Sequence, residues 1–283
     1  LCHWRTECMK TLERSDDLTL LPGLGRSMRQ ELIDRIPTVD ELANTEIEQF
    51  IEGGTTIFTG IGIKSLEKFK ARADLVKSQN PEPYLTEPIA LPDPERELFF
   101  DIEVDSMQNF CYLHGFVERS NSDNNTEKYQ AFYAVDLSPE AEEKAFEDAW
   151  QYIFKNQPCT IYYYSKYERT IWRKLQSKYS TVCSSEEIET LFDPVNSIDL
   201  LDVVRKYTEW PTKDYSIKTL AQFLNFEWRD EDPSGAASIE WFQRWSESKD
   251  QKIKQRILEY NEDDCLATRV LLDKIKRLNF WLL

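Results

Sequence analysis

Asp101 and Glu103 stand two residues apart in Leu98-Phe99-Phe100-Asp101-Ile102-Glu103-Val104-Asp105, a short run rich in strand-favouring residues. On a strand both acids project from one face, roughly 6–7 Å apart along the chain, while Phe100, Ile102 and Val104 take the other. Aligned carboxylates in an apolar setting are costly unless a cation neutralises them, so the economical explanation is a divalent metal. A third acid comes from far along the chain. Ile253, Ile257, Tyr260, Asp264, Ala267, Leu271 and Ile275 recur at three- and four-residue steps, which is one face of a helix. Asp264 in that stripe is out of place for packing but well placed to meet the strand acids. Tyr260 lies one turn earlier on the same face. Asp263 is the alternative, off the main stripe.

Those residues need a sheet and a long helix to bring them together. Beyond the acidic strand, segments 112–117 and 130–135 read as strands, with Asn121-Ser122-Asp123-Asn124-Asn125 as the turn between them. Segment 139–156 reads as a helix, 160–164 as an apolar aromatic strand and 168–179 as a helix. Further helices follow, and the last runs from about 249 to 278. Strands first, then mixed strand and helix, give an α/β sheet covered by helices over residues 96–283. Residues 79–95 carry Pro81, Pro83, Pro88, Pro92 and Pro94, and read as a linker.

Residues 1–78 repeat one pattern. Leu20-Leu21-Pro22-Gly23-Leu24-Gly25 leads into a helical run through Ile36, and Ile57-Phe58-Thr59-Gly60-Ile61-Gly62 leads into another through Val76. Pro37-Thr38-Val39-Asp40 caps a helix between them. Glycines permit a sharp turn whose free backbone N–H groups stand at a helix N-terminus, an anion-binding arrangement. A tight packing turn explains the same residues.

The 283 residues include 8 Trp, 13 Tyr and 15 Phe, ample for real cores in two domains. No stretch approaches the roughly 18 unbroken apolar residues of a membrane helix, and Leu1-Cys2-His3-Trp4 is no secretory signal. The absence of an initiator Met suggests a piece of a longer protein. Six cysteines without paired short spacings in the main body point to a reduced, cytoplasmic setting. Two histidines, His3 and His114, argue against a His-based triad or metal site. The net charge of −16 disfavours tight, nonspecific duplex binding, although residues 1–80 are near neutral and a local basic track is compatible with it.

Asp101-Ile102-Glu103 on a first strand and Tyr260-Asn261-Glu262-Asp263-Asp264 on a last helix resemble the DEDD superfamily of 3′–5′ exonucleases. The Tyr-x-x-x-Asp spacing is that of its tyrosine subgroup; Glu259 stands where the histidine subgroup has its His. Residues 96–278 resemble more closely the YprB-type ribonuclease-H-like domain at the C-terminus of RecB-like nucleases. The glycine-turn repeat resembles the tandem helix-hairpin-helix that often precedes that domain. The resemblance implies a ribonuclease-H-like mixed sheet behind a small all-α module. The implied activity is metal-dependent hydrolysis of single-stranded or end-frayed DNA or RNA.

By this resemblance Asp101 bridges two Mg²⁺ or Mn²⁺ ions, Glu103 and Asp264 complete one, and Tyr260 orients the nucleophile. Hard cations prefer carboxylate oxygens, in keeping with an all-acid site. The family's second motif corresponds to Tyr162-Tyr163-Tyr164-Ser165-Lys166-Tyr167-Glu168; Glu168 departs from the usual Asp, and by the resemblance it would hold the second ion, directly or through water. A helix-start Glu paired with the macrodipole is the other explanation for it. Asp199 competes for the role and most resembles the family's helix-capping acid. Segment 215–224 resembles a helix beside the substrate groove. Lys166, Arg169, Arg173 and Lys174 would form a basic edge, or simply a solvated helix face. Trp228, Trp241, Phe242 and Trp245 would stack bases or pack a core.

Gly23, Gly25, Gly60 and Gly62 would hold backbone phosphates. Cys2 and Cys8 resemble the tail of a four-cysteine iron–sulfur motif, which only a longer parent chain carrying an upstream RecB-like domain would complete. Two rivals are a catalytically silent nucleic-acid-binding or scaffolding domain of such a parent, and a protein-interaction module using the hairpins.

Overall fold

The structure, a computed structural model, describes residues 4–231 and 234–279. Cys2, half of the expected cysteine motif, lies outside the described residues, whereas Cys8 is an exposed free thiol. No helix among the described residues is long and apolar enough to cross a membrane. The chain forms two compact units.

The first unit holds residues 4–88, 204–223 and 278–279. Its helices are α1 (Arg5–Arg14), α2 (Arg26–Leu32), α3 (Val39–Ala43) and α4 (Ile63–Lys77), with a small hairpin of β1 (Ile51–Glu52) and β2 (Thr55–Thr56) before α4. Gly23 (φ 81°) and Gly60 (φ 74°) occupy the left-handed region open to glycine, and Gly25 and Gly62 directly precede α2 and α4. α2 ends at Leu32, short of the expected Ile36, and the Arg35 and Ile36 amides both donate to the Leu32 carbonyl in the turn that follows. Thr38 caps α3 by accepting from the Glu41 amide. Leu18, Leu32, Leu42, Leu66 and Ala73 form the centre of the core.

β3 (Tyr84–Leu85) pairs antiparallel with β9 (Thr208–Glu209), and α9 (Ile217–Phe223) completes this unit. Arg72 of α4 is buried and donates to both carboxylate oxygens of Glu209, at 2.7 and 3.0 Å. Its remaining nitrogen donates to the Pro22 carbonyl, which ties the first glycine turn to α4.

The second unit holds residues 89–203 and 224–277. Its elements are β4 (Arg96–Asp105), β5 (Phe110–Ser120), β6 (Asp123–Tyr133), α5 (Pro139–Lys155), β7 (Thr160–Tyr163), α6 (Tyr167–Lys178), α7 (Ser185–Leu191), β8 (Ser197–Asp199), α10 (Gly235–Ser248) and α11 (Gln251–Ile275). The junction helix α8 (Leu200–Tyr207) follows β8.

The sheet order is β6-β5-β4-β7-β8. β4, β5 and β6 are antiparallel, and β7 and β8 run parallel to β4, so the sheet is mixed. The alternation along β4 separates two faces. Leu98, Phe100 and Ile102 pack with Phe146 of α5, Trp172 of α6 and Leu191 of α7. α10 and α11 cover the opposite face. The result is a sheet flanked by helices, the expected α/β class.

The turn between β5 and β6 is shorter than the sequence suggests. The turn after β5 is only Asn121 and Ser122, with φ 52° and 54°, the two left-handed residues of a tight hairpin. Asp123 to Lys128 are polar because β6 is the edge strand, and pairing with β5 overrides their weak strand preference.

Candidate metal centre

β4 carries Asp101 and Glu103 on the α11 side of the sheet, just before a register shift between Glu103 and Val104. α11 supplies Asp264 from its apolar stripe. One ligand oxygen from each of the three carboxylates lies within 4.8 Å of the other two. Charges that close repel by about 3.5 kcal/mol per pair at an effective dielectric near 20. Glu103 is 5% exposed, so water screens it poorly.

Each carboxylate is held by neutral donors. Asn261 Nδ2 donates to Asp101 Oδ2 at 2.7 Å. The Tyr112 hydroxyl is 3.3 Å from Glu103 Oε2 and 2.8 Å from Ser238 Oγ. Trp228 Nε1 donates to Asp264 Oδ1 at 2.7 Å, and the Tyr260 hydroxyl bonds the same carboxylate. Burial, followed by the charges of Asp264, Glu103 and Asp101, pushes the Tyr260 phenol far above its ordinary range. It is a neutral donor at any physiological pH. Neutral donors orient carboxylates without adding positive charge; a divalent cation would supply it.

The adjacent Asp263 faces a different partner. Its oxygens accept from the Arg229 backbone N–H (2.8 Å) and Nε (2.9 Å), and Arg229 also reaches Glu262. Trp228 and Arg229 thus grip neighbouring acids of α11. Trp228 was expected to stack bases or pack; only its position in the fold reveals the bond to Asp264. Trp241, Phe242 and Trp245 are buried among aromatic neighbours.

Glu168 lies in the first turn of α6, outside the three-acid group and 4% exposed. Ser165, at φ 106°, makes the strained turn that leads from β7 into this helix. Burial pushes the Glu168 carboxyl well above its ordinary range, and the charges of Asp199 and Asp264 add to the effect. Its Oε2 is buried without a hydrogen-bond partner. Asp199 is differently engaged: its Oδ1 accepts from the Ser165, Leu201 and Asp202 amides at 3.0, 3.0 and 3.4 Å, which caps the start of α8.

Of the basic edge, Lys166 is exposed and Arg169 half-buried, with its Nε unpartnered. Arg173 is bound through two nitrogens to Glu189, while Lys174 is exposed. His114 is fully buried, and desolvation lowers its imidazole to about 3. It accepts from Trp172 Nε1 at 3.1 Å and belongs to the core. The four hairpin glycines stand at turns of the first unit, as described above.

No curated protein and no solved structure gives a match to this chain. A family model for the RNase_H superfamily matches residues 98–276, from within β4 to just past α11. That span is more than half the chain and contains all three clustered acids. The chain therefore belongs to the RNase_H superfamily.

Proposed function

We propose that this protein is a metal-dependent 3′–5′ exonuclease of the DEDD tyrosine subgroup, acting on DNA or RNA ends. The observation that carries this reading is the meeting of Asp101, Glu103 and Asp264, from a central strand and a helix some 160 residues away, with ligand oxygens within 4.8 Å. An all-carboxylate donor set suits Mg²⁺ or Mn²⁺. Bound in a pair, such ions lower the pKa of an attacking water and offset charge on the phosphodiester.

The chain's own residues would divide the remaining work. Asp101, Glu103 and Asp264 would hold one ion and Asp101 would share the second. Glu168, with a buried oxygen lacking a partner, suits the second ion better than Asp199, whose Oδ1 already accepts three amides. Tyr260, protonated beside Asp264, would orient the nucleophile through its hydroxyl. Lys166 and Arg169 would contact the substrate phosphates. The glycine turns at Gly23, Gly25, Gly60 and Gly62 fit a helix-hairpin-helix module over residues 1–78 that would grip the backbone. Resemblance to YprB-type domains supports a parent protein with an upstream RecB-like nuclease domain.

End-labelled single strands test the proposal. Wild type with Mg²⁺ or Mn²⁺ should produce a ladder from the 3′ end, and Asp101→Asn and Asp264→Asn should not. Retention of the strand without cleavage, unaffected by metal, would favour the catalytically silent binding domain instead.

A further inference from the structure

Asn261 is fully buried on the face of α11 that meets the sheet. Its Nδ2 donates to Asp101 Oδ2 at 2.7 Å, and its Oδ1 accepts from the Tyr129 hydroxyl at 2.8 Å. The two bonds select one amide orientation: with Tyr129 donating to the carbonyl end, the NH₂ end faces Asp101. β5 leaves room for this amide. Gly115 is the register partner of Asp101, and a Cβ there would lie 1.6 Å from Asn261 Oδ1 and 2.8 Å from its Cγ. Gly115 is not among the residues with positive φ, so space and not backbone conformation requires glycine.

We propose that Asn261 is a positioning residue for Asp101 as a metal ligand, with Tyr129 setting its amide and Gly115 making the space. This inference rests on the metal-dependent reading above. A neutral donor on Oδ2 restricts rotation of the carboxylate without neutralising it, so its orientation toward a cation is preset. Tyr129 of β6, Gly115 of β5 and Asn261 of α11 then form one support, and none of them is an acid.

Partners that orient metal ligands typically change metal affinity by about 10–100-fold when removed. Mn²⁺ titration calorimetry on the full chain, beside thermal melting without metal, tests the proposal. Asn261→Ala should weaken Mn²⁺ binding by about 10–100-fold while the melting transition remains cooperative. Gly115→Ala should do the same by displacing the amide, and Tyr129→Phe should have a smaller effect. The Gly115→Ala/Asn261→Ala double variant removes the clash with the amide, leaving a 3.0 Å approach to the Tyr129 hydroxyl, keeps the assay usable if Gly115→Ala alone misfolds, and should bind no worse than Asn261→Ala. Mn²⁺ affinity of Asn261→Ala within twofold of wild type would overturn the positioning role and leave the nuclease reading standing. A double variant markedly weaker than Asn261→Ala would overturn the role given to Gly115. Wild type that binds no Mn²⁺ would overturn both readings.

Discussion

β4 and α11 meet at two acidic places, and the two are resolved in opposite ways. Near the start of β4, Glu97 is fully buried and accepts from Arg119 Nε at 2.7 Å and Lys276 Nζ at 2.9 Å. Arg119 also reaches Asp273 of α11 at 2.8 Å and lies over the Phe99 ring. Burial alone would lower the Arg119 guanidinium; bonds to Glu97 and Asp273 raise it instead. Four and six residues along the same strand lie Asp101 and Glu103, joined by Asp264 of α11, and this group accepts from the neutral donors Asn261, Tyr112, Trp228 and Tyr260. The first group meets cationic donors, whereas the bonds described at the second come from neutral side chains. Acids packed between the same strand and helix thus meet donors of different charge, and under the proposed function they do different work.

Removing an acid should separate the two groups most clearly through activity. Asp264→Asn should reduce metal-dependent cleavage by about a thousandfold or more, because several kcal/mol of charge stabilisation depends on bound metal. Asp273→Asn should leave cleavage within a few-fold of wild type; equal losses in gel-based rates would erase the distinction.

Stability should respond in the reverse sense. Glu97→Gln leaves Arg119 buried beside a neutral amide and should destabilise by about 3–5 kcal/mol in urea unfolding. Glu103→Gln relieves like-charge repulsion and should raise metal-free stability by on the order of 1 kcal/mol. If both variants lose stability equally, the open group is not repulsive.

The pH dependence sharpens the comparison further. A carboxyl held above its ordinary value of 4.5, as Glu168 is, binds its proton more tightly in the folded state. Its stabilising contribution is complete below that value and is lost as pH rises toward the raised one. Urea midpoints of metal-free protein should therefore fall as pH rises above 4.5, and Glu168→Gln should flatten the profile. An unchanged slope in the variant would exclude Glu168 as its source.

The smallest difference concerns α6. Arg173 is already committed to Glu189, whereas Arg169 keeps an unpartnered Nε. Arg169→Ala should raise the KM for a single strand several-fold, and Arg173→Ala should change it by less than twofold. A larger effect from Arg173 in steady-state kinetics would reverse that assignment.

Much of this was legible before the fold. The period-two pattern of Phe100-Asp101-Ile102-Glu103 separates a core face from an acidic face, and the structure packs Phe100 and Ile102 in the core. Asp264 stood out because it interrupts an otherwise apolar helical stripe. The donors were not legible. Trp228 and Asp264 are 36 residues apart, Tyr129 and Asn261 132, and no local spacing marks either pair. Asn261 inside the Tyr-x-x-x-Asp run looks like a spacer until Gly115 is seen beneath it. The polar residues of β6 hid a strand for a related reason: an edge strand is stabilised by one neighbour and needs no apolar face on its solvent side. Sequence shows which residues are out of place, and the fold shows what holds them there.

The most direct test is anomalous diffraction from crystals of the wild-type chain soaked in Mn²⁺. A manganese peak is expected at the carboxylates of Asp101, Glu103 and Asp264, and none at Glu97 and Asp273. Manganese absent from the three acids, in crystals where their side chains are clearly ordered, would contradict it.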